Sequence, residues 1–394
     1  ASSITVKGGD MPYMGRLLRK RGFAPIKRVK SAQIPGSCLA TAAKNEFNAA
    51  MDLHDRSIEV FGELAPTALP LTLHEITHVR NAEGQLQDII SYANSNEYAG
   101  PINDRRRREL GLLEGESIGD ALFSRLGVRP AVYKYGLPEP NIRVNDLYSY
   151  RLFGFYDDDS RGYDVASHEL QDSDPLLHMN SDVERMGDNI ARTIGRKDRV
   201  IRLTYELLAQ VYGFNAGDVL PDEVIDDDNY YNPNPLNPLN QLTEIGEKCQ
   251  KNSIDTLVLE QFIANTTRMA ALAHSVGKVF SRGEVVGGSF MPRNVTLGGS
   301  VLDLDTVGKL NPAAFNERYK RDIVEMTLSI ASIERVVRKD NSRNLFKYVL
   351  DSYHNNLTLA GATKKRANEM IESLTTDSAV AGAAACLQAH KLEI

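Results

Sequence analysis

Cysteine is scarce in this sequence. Its 394 residues include three cysteines, Cys38, Cys249 and Cys386, and they lie far apart in the chain. A sparse and odd number of cysteines argues against a disulfide framework and favours a reducing compartment, so we expect a cytoplasmic protein. Their wide spacing also excludes a zinc site that is built from cysteine ligands.

Long hydrophobic runs are missing as well. No stretch approaches the roughly 20 apolar residues that cross a bilayer, so we expect no membrane span. The segment Ala1–Lys7 has no apolar signal core, and we do not expect export by that route. Basic residues are not in excess, since the net charge is −6. This balance gives no reason to expect nucleic acid as the main partner.

Positive charge is nevertheless concentrated near the start of the chain. The basic residues are Arg16, Arg19, Lys20, Arg21, Lys27, Arg28 and Lys30. An anion-binding arm and a solvated terminal extension both explain such a cluster, and the extension is the commoner case. We therefore assign residues 1–60 to a basic N-terminal extension.

Residues 61–156 have the patterns of a β-rich region. Alternating apolar residues and a central turn predict a β-hairpin over residues 71–92. Helical spacing predicts a long helix from Arg105 to Leu126, which Gly127 would end. Further strands are expected at 132–135 and 142–155.

Residues 157–394 are mostly helical in pattern. They open with an acidic and Asn/Pro-rich insertion near 157–240, whose prolines exclude a regular helix in its later part. Apolar spacing predicts helices at 200–211, 257–279, 323–337 and 362–374, and short strands with tight turns at 285–310. The expected fold class is α+β, a small β-rich lobe with one long helix followed by a larger, mostly helical lobe.

The segment from His74 to His78 fits the pattern H-E-x-x-H, which on a helix binds zinc through both histidines. Glu75 would then be the general base of a metallopeptidase, and Glu97 follows as a third ligand. The segment is rich in Thr and Ile, however, and it runs into a turn. On a strand the two histidines lie about 13 Å apart, too far to share one zinc. Ordinary strand histidines are the favoured interpretation.

A second candidate is the glycine-bearing stretch from Gly287 to Asn294, which continues through Val295 to Asp303. Two short apolar strands joined by Gly298-Gly299 would place the Asn294 amide beside the Asp303 carboxylate. Amide and carboxylate oxygens are hard ligands that suit Mg²⁺, which neutralises nucleotide phosphates in phosphoryl-group chemistry. A hairpin with a polar turn and no ligand is the alternative.

Three stretches are Gly115–Val128, Arg143-Val144 with Arg151–Gly154, and Asn294–Asp303. Taken together and in this order, they resemble the selenoprotein O family. The segment from Gly115 to Val128 is similar to the family's helix ending in a Leu-Gly-Ile step. Arg143 in Arg-Val and Arg151 in Arg-Leu-Phe-Gly resemble its paired phosphate-binding arginines. The interval from Asn294 to Asp303 equals that between the family's metal-binding Asn and Asp.

This resemblance implies a two-lobed, protein-kinase-like fold that binds ATP with Mg²⁺ and transfers AMP to a hydroxyl of a protein substrate. It implies that Asn294 and Asp303 are metal ligands and that Arg143 and Arg151 hold phosphates. Glu116 would correspond to the helix-C glutamate that orients a strand lysine.

The sequence departs from the family at three positions. Arg293 replaces the Asp that precedes the metal-binding Asn, and Asp305 replaces the Gly two residues beyond the metal-binding Asp. Ser289, which stands where kinases have their catalytic Asp, is not a departure, because the family lacks that Asp as well. The strand lysine is missing, since no lysine occurs between Lys44 and Lys134. Another basic residue would then pair with Glu116, with Arg80, Arg105, Arg106 or the N-terminal arm as candidates.

Asp305, which stands two residues beyond Asp303, is the one nearby carboxylate that could act as a base. A turn-capping role before Thr306 is the alternative. Three functions remain open: an AMP-transferring enzyme, a catalytically inactive kinase-like scaffold or virion structural protein, and a zinc metallopeptidase. The missing lysine and the non-Met first residue favour the second.

Overall fold

The computed structural model describes most, but not all, of the chain. It covers residues 3–7, 38–80, 84–95, 107, 111–125, 127, 129–139, 141–144, 197–220, 245–280, 288–292, 294–337 and 345–388. The chain divides into two compact units. We call residues 4–51 with 69–137 the β-rich unit, and residues 1–3, 52–68 and 138–394 the helical unit.

The β-rich unit contains six short strands and two α-helices among its described residues, besides a π-helical turn. In chain order they are β1 (Ser3–Lys7), β2 (Cys38–Leu39), α1 (Ala40–Phe61), β3 (Leu69–Glu75), β4 (His78–Arg80), β5 (Leu86–Asp88), α2 (Ile89–Ala93) and β6 (Pro130–Leu137). Strand β6 is central and pairs with β1, β2 and β3. A separate two-stranded sheet joins β4 to β5 in antiparallel register. From Asp52 onward α1 belongs to the helical unit.

The register of β3 on β6 explains which residues form the core of this sheet. Pairing runs antiparallel from Leu69 opposite Gly136 to Glu75 opposite Ala131. Alternate residues of β6 are fully buried, as the pleat requires, and Tyr133 packs edge-on against Phe47 of α1.

Several local predictions for this unit were wrong. Residues 40–60, assigned to the N-terminal extension, belong to helix α1 (Ala40–Phe61), which buries Ala43, Ala50 and Leu53. The second strand of the predicted hairpin stops at Asp88, because its side chain accepts hydrogen bonds from Ile90 N and Ser91 N and caps α2.

The long helix predicted from Arg105 to Leu126 is also wrong within the described residues. Gly111 and Gly115 have φ of +64° and +72°, a left-handed backbone that ends any helix. Helical structure returns at residue 118 and includes a π-helical turn, Asp120–Arg125. Gly127 follows with φ +62°, in the predicted terminating role.

The helical unit contains most of the chain's helix. Its elements are α3 (Lys197–Tyr212), α4 (Ile254–His274), β7 (Lys278–Val279), β8 (Gly308–Lys309), α5 (Pro312–Val337), α6 (Leu345–Leu359), α7 (Lys364–Thr375) and α8 (Ser378–Gln388). Helix α4 packs against α5 and α6, and α5 packs against α8. Strands β7 and β8 pair antiparallel.

Apolar periodicity located the main helices of this unit correctly. The predicted inward residues of α5, from Ile323 through Met326 and Ile330 to Val337, are all fully buried. Helices α3, α4 and α7 also lie where they were predicted, whereas α6 and α8 were missed. The protein is thus mixed α+β and mostly helical, with small sheets, which confirms the predicted class at that level. None of the helices in the described ranges has the length and apolar character that a membrane crossing requires.

Candidate functional site

A tight hairpin in the helical unit connects Asn294 to Asp303. Val295 and Val301 form an antiparallel bridge, and Thr296 N donates to Ser300 O over 2.9 Å. The turn requires glycine at position 299, where φ is +85° and an added Cβ would lie 3.1 Å from the Phe262 carbonyl oxygen. The predicted pair of short strands around a Gly-Gly turn is therefore present.

Two distant segments flank this hairpin, one on each side. Leu297 N donates to Ile142 O over 3.0 Å, and Val144 N donates to Val295 O over 2.8 Å. On the other side Val301 N donates to Pro66 O over 2.9 Å. The hairpin's backbone groups are thus satisfied on both edges, which fixes its position.

The turn of the hairpin is held by buried polar groups. Tyr212 of α3 donates its hydroxyl to Leu297 O over 2.6 Å. Thr296 donates its hydroxyl to Glu139 Oε1 over 2.5 Å, and Glu139 lies against Gly298. Burial and the nearby Glu139 charge raise the pKa of Tyr212 well above its ordinary value, so this hydroxyl stays a donor.

The open end of the hairpin brings the backbones of Asn294 and Asp303 together. Leu302 N donates to Asn294 O over 2.7 Å, so Asp303 follows directly on a residue bonded to Asn294. Asp303 has φ +60° and ψ +59°, a left-handed conformation that few non-glycine residues adopt. Ser289 donates its hydroxyl to the Asp303 carbonyl over 2.8 Å, which helps to hold this conformation.

The side chain of Asn294 is buried and bonded at both ends. Its amide nitrogen donates to Gly288 O over 3.2 Å. Its oxygen faces Arg143, whose Nη1 lies 3.4 Å away and donates to it. Asn294 and Arg143 are 151 positions apart in sequence, and they meet because residues 142–144 run beside the hairpin.

The structure therefore brings the Arg143 side chain to that of Asn294, and the backbone of Asp303 close to that of Asn294. Asp305 lies close by in the chain, in the 3₁₀ turn Leu304–Thr306, where it is half-buried. Arg151 and Arg293 lie outside the described residues.

Glu116 belongs to the β-rich unit, and its surroundings differ from the prediction. It lies in the turn before the π-helical segment, and Arg125 donates to both its carboxylate oxygens, over 2.6 and 2.9 Å. These bonds lower the pKa of the Glu116 carboxyl. Among the described residues its cation is thus Arg125, nine positions later. Arg105, Arg106 and the basic N-terminal arm, which the sequence suggested, lie outside the described residues.

The H-E-x-x-H segment is not helical. His74 and Glu75 end β3, and His78 begins β4, so the histidines are on separate strands. All three side chains are exposed. Glu97 lies outside the described residues. The helical geometry that a zinc metallopeptidase site needs is therefore missing from this segment.

Sequence reasoning missed a pair of acidic residues on the buried face of α5. Asp322 and Glu325 are 0% and 4% exposed. Glu325 Oε1 accepts from Gly288 N over 3.0 Å, beside the Asn294 amide. Desolvation and the nearby Asp322 charge raise the pKa of Glu325. One sequence feature could have revealed them: they are three residues apart, and each directly precedes an inward-facing apolar residue, Ile323 or Met326.

The oxygens of Asn294 and Asp303 are of the kind that Mg²⁺ takes. Across the described residues no three His, Cys, Asp or Glu side chains cluster in a way that could hold a metal ion. A nucleotide-bound Mg²⁺ uses only one or two protein carboxylates, with phosphate and water oxygens completing its six ligands. The residues present fit a site of that sort.

No known family, curated protein or solved structure matches this chain. The resemblance to selenoprotein O therefore remains a prediction from the three sequence stretches.

Proposed function

We propose that the chain is an ATP- and Mg²⁺-dependent transferase with a kinase-like fold, which transfers AMP to hydroxyl groups of a protein substrate. The observation that carries the proposal is the hairpin that holds Asn294 beside Asp303, with Arg143 donating to the Asn294 amide oxygen.

The order of elements around the hairpin supports this proposal. In chain order, helix α4 is followed by β7 and then by Asn294, and Asp303 is followed by β8 and α5. Strands β7 and β8 pair across this stretch, with Lys278 opposite Lys309. In protein kinases, Mg²⁺ is held by an Asn of the catalytic loop and by an Asp that follows it in the chain, which is the order of Asn294 and Asp303 here.

The side chains would share the work of binding a nucleotide. When bound, Mg²⁺ would neutralise charge on the phosphates. Asn294 and Asp303 would hold it through their side-chain oxygens. Arg143, which donates to the Asn294 amide oxygen, would also bind phosphate oxygens. Arg151 is proposed for the same role.

In the proposed reaction, a substrate hydroxyl oxygen forms a bond to the α-phosphorus of ATP. The bond between that phosphorus and the oxygen bridging to the β-phosphorus breaks, and pyrophosphate leaves with the electron pair. Asp305 takes the proton of the hydroxyl. Positioning and charge stabilisation provide most of the rate in such a reaction, because the protein makes no covalent bond.

An inactive kinase-like scaffold or virion structural protein is the second candidate, and one observation favours it. Glu116 is fully engaged by Arg125 and by Leu113 N, which donates to Oε2 over 2.9 Å. A carboxylate bound in this way is not oriented to hold a catalytic cation at a nucleotide.

Labelled ATP separates these candidates. Label retained on protein from the α-phosphate alone indicates AMP transfer, and label from the γ-phosphate alone indicates kinase activity. If the protein retains neither label and does not bind ATP, the inactive scaffold or structural protein is the supported candidate.

The metal site has its own test. Asp303→Ala should abolish Mg²⁺-dependent ATP binding in calorimetry, because it removes the one carboxylate assigned to the ion. Asp351→Ala, at an exposed position of α6, is the matched control and should bind as the wild type does. Equal affinity in both variants would show that Asp303 is not a ligand.

A further inference from the structure

Helix α5 carries a stripe of three buried polar residues within its apolar face. Asp322, Glu325 and Ser329 are 0%, 4% and 0% exposed. Their spacing of three and then four residues places them on one side of the helix. Burial of such groups is costly unless each has a hydrogen-bond partner.

Each member of the stripe bonds the backbone of the segment that leads to Asn294. Asp322 Oδ2 accepts from Phe280 N over 2.8 Å. Glu325 Oε1 accepts from Gly288 N over 3.0 Å, and Ser329 donates its hydroxyl to Phe290 O over 2.5 Å. Residues 281–287, between the first two contacts, lie outside the described part of the chain.

The contact with Gly288 continues directly to the candidate metal ligand. Gly288 donates its N–H to Glu325 and accepts, at its carbonyl, the Asn294 side-chain amide over 3.2 Å. The same carbonyl accepts from Met291 N over 3.2 Å. A shift of Gly288 must therefore move the Asn294 side chain.

Asp322 is itself anchored from α4 and α6. His274 Nε2 lies 3.0 Å from Asp322 Oδ2, and its Nδ1 lies 2.6 Å from the Tyr353 hydroxyl. Arg321 donates to Glu325 Oε1 over 3.2 Å. The stripe is thus linked to α4 through His274 and, through that histidine, to Tyr353 of α6.

We propose that Asp322, Glu325 and Ser329 are positioning residues that set the conformation of residues 288–292 and thereby aim the Asn294 amide. This inference rests on the proposed function only in taking Asn294 as a metal ligand. Glu325 acts through Gly288, so any acceptor oxygen at that position should preserve the geometry.

The first experiment measures the geometry itself. In the full chain, amide exchange at Gly288 N and at the Asn294 side chain is followed by NMR in Glu325→Ala and Glu325→Gln. Loss of a charge-assisted hydrogen bond should speed exchange at both sites about 10- to 100-fold in the alanine variant. Glutamine keeps an acceptor oxygen and should restore most of the protection. Unchanged exchange in Glu325→Ala overturns the proposal.

The second experiment measures the consequence for binding, with ATP and Mg²⁺ in calorimetry. Glu325→Ala should weaken binding about tenfold or more, and Glu325→Gln should stay within a few-fold of wild type. Val349→Ala, at a fully buried position of α6, serves as a control for lost stability. It should lower the melting temperature without weakening binding. Equal weakening in Val349→Ala would reduce Glu325 to a general structural role and refute the proposal.

The two experiments keep the inference separate from the proposed function. If the wild type does not bind ATP with Mg²⁺, the proposed function fails, and the exchange data alone decide whether the stripe positions Asn294. If the wild type binds and exchange quickens in Glu325→Ala without any change in affinity, the proposed function survives and the positioning role is refuted.

Discussion

Gly298→Ala is the substitution whose effect the structure defines most sharply. An added Cβ at this position would lie 2.7 Å from Glu139 Cδ and 2.9 Å from its Oε1. Real side chains do not approach so closely, so Glu139 must move. Because Glu139 is 7% exposed and accepts the Thr296 hydroxyl, that movement breaks a buried hydrogen bond.

The magnitude follows from two terms. Overpacking a buried site costs about 1–3 kcal/mol. Loss of a buried hydrogen bond to a charged group costs about 1.5–3 kcal/mol. We therefore expect a loss of about 2.5–6 kcal/mol, which lowers the melting temperature by roughly 5–24 °C for a unit of this size.

Thermal and urea unfolding of the full chain measure this effect, and another glycine supplies the control. Gly382 lies within α8, where an added Cβ meets nothing within 4 Å. Gly382→Ala should therefore raise stability by about 0.5–1 kcal/mol, since alanine loses less backbone entropy in a helix.

A double-mutant cycle tests the assigned cause. In a Glu139→Ala background the Cβ at position 298 has space, so Gly298→Ala should cost far less than in the wild type. If Gly298→Ala proves neutral, or if its cost does not depend on Glu139, the close approach of these two residues is not the cause and the reasoning fails.

Other predictions concern ionisable groups. The pKa of Glu325 is raised above its ordinary value of 4.5, so the folded state binds this proton more tightly than the unfolded chain. Its contribution to stability is therefore lost as pH rises from about 4.5 through the folded pKa. Relative to wild type, Glu325→Gln should gain stability across that window in urea unfolding at several pH values; a difference that does not vary with pH would contradict this. Burial raises the pKa of the Cys249 thiol to about 12. Iodoacetamide at pH 8 should leave Cys249 unmodified in the native protein and should alkylate it in urea, as mass spectrometry of its peptide reports; rapid native alkylation would be inconsistent with its burial.

The parts of the fold that the sequence predicted are those with strong local signals. Helices α4 and α5 have apolar residues at helical spacing over five turns or more. The hairpin between Asn294 and Asp303 was predictable because glycines mark its turn. Helix α8 was missed because its Ala-rich sequence has no polar and apolar faces to distinguish.

Errors arose where capping or turn chemistry overrides periodicity. The segment from Gly111 to Gly115 lies inside an apolar pattern of helical spacing, yet both glycines take left-handed backbone. Asp88 was treated as part of a strand, although a side chain that caps the next residues begins a helix there.

The candidate site was predictable only in its local part. Asn294 and Asp303 are nine residues apart in the sequence, and so are Glu116 and Arg125, so both pairs can be read from a short stretch of sequence. The contact of Arg143 with Asn294 is long-range, and so are those from α5 to Gly288. Such contacts depend on the packing of whole helices, which no short sequence pattern specifies.

The hairpin's dependence on two remote stretches of backbone has a consequence for how the site assembles. Residues 66–67 and 142–144 must both contact the hairpin before its edges are paired. The hairpin therefore forms completely only after the long chain segments between these residues and the hairpin have closed into loops during folding. A peptide containing only residues 288–310 would carry both ligands and yet lack the strands that hold them. Grafting this short stretch onto another scaffold should therefore transfer the sequence motif without the conformation of the hairpin.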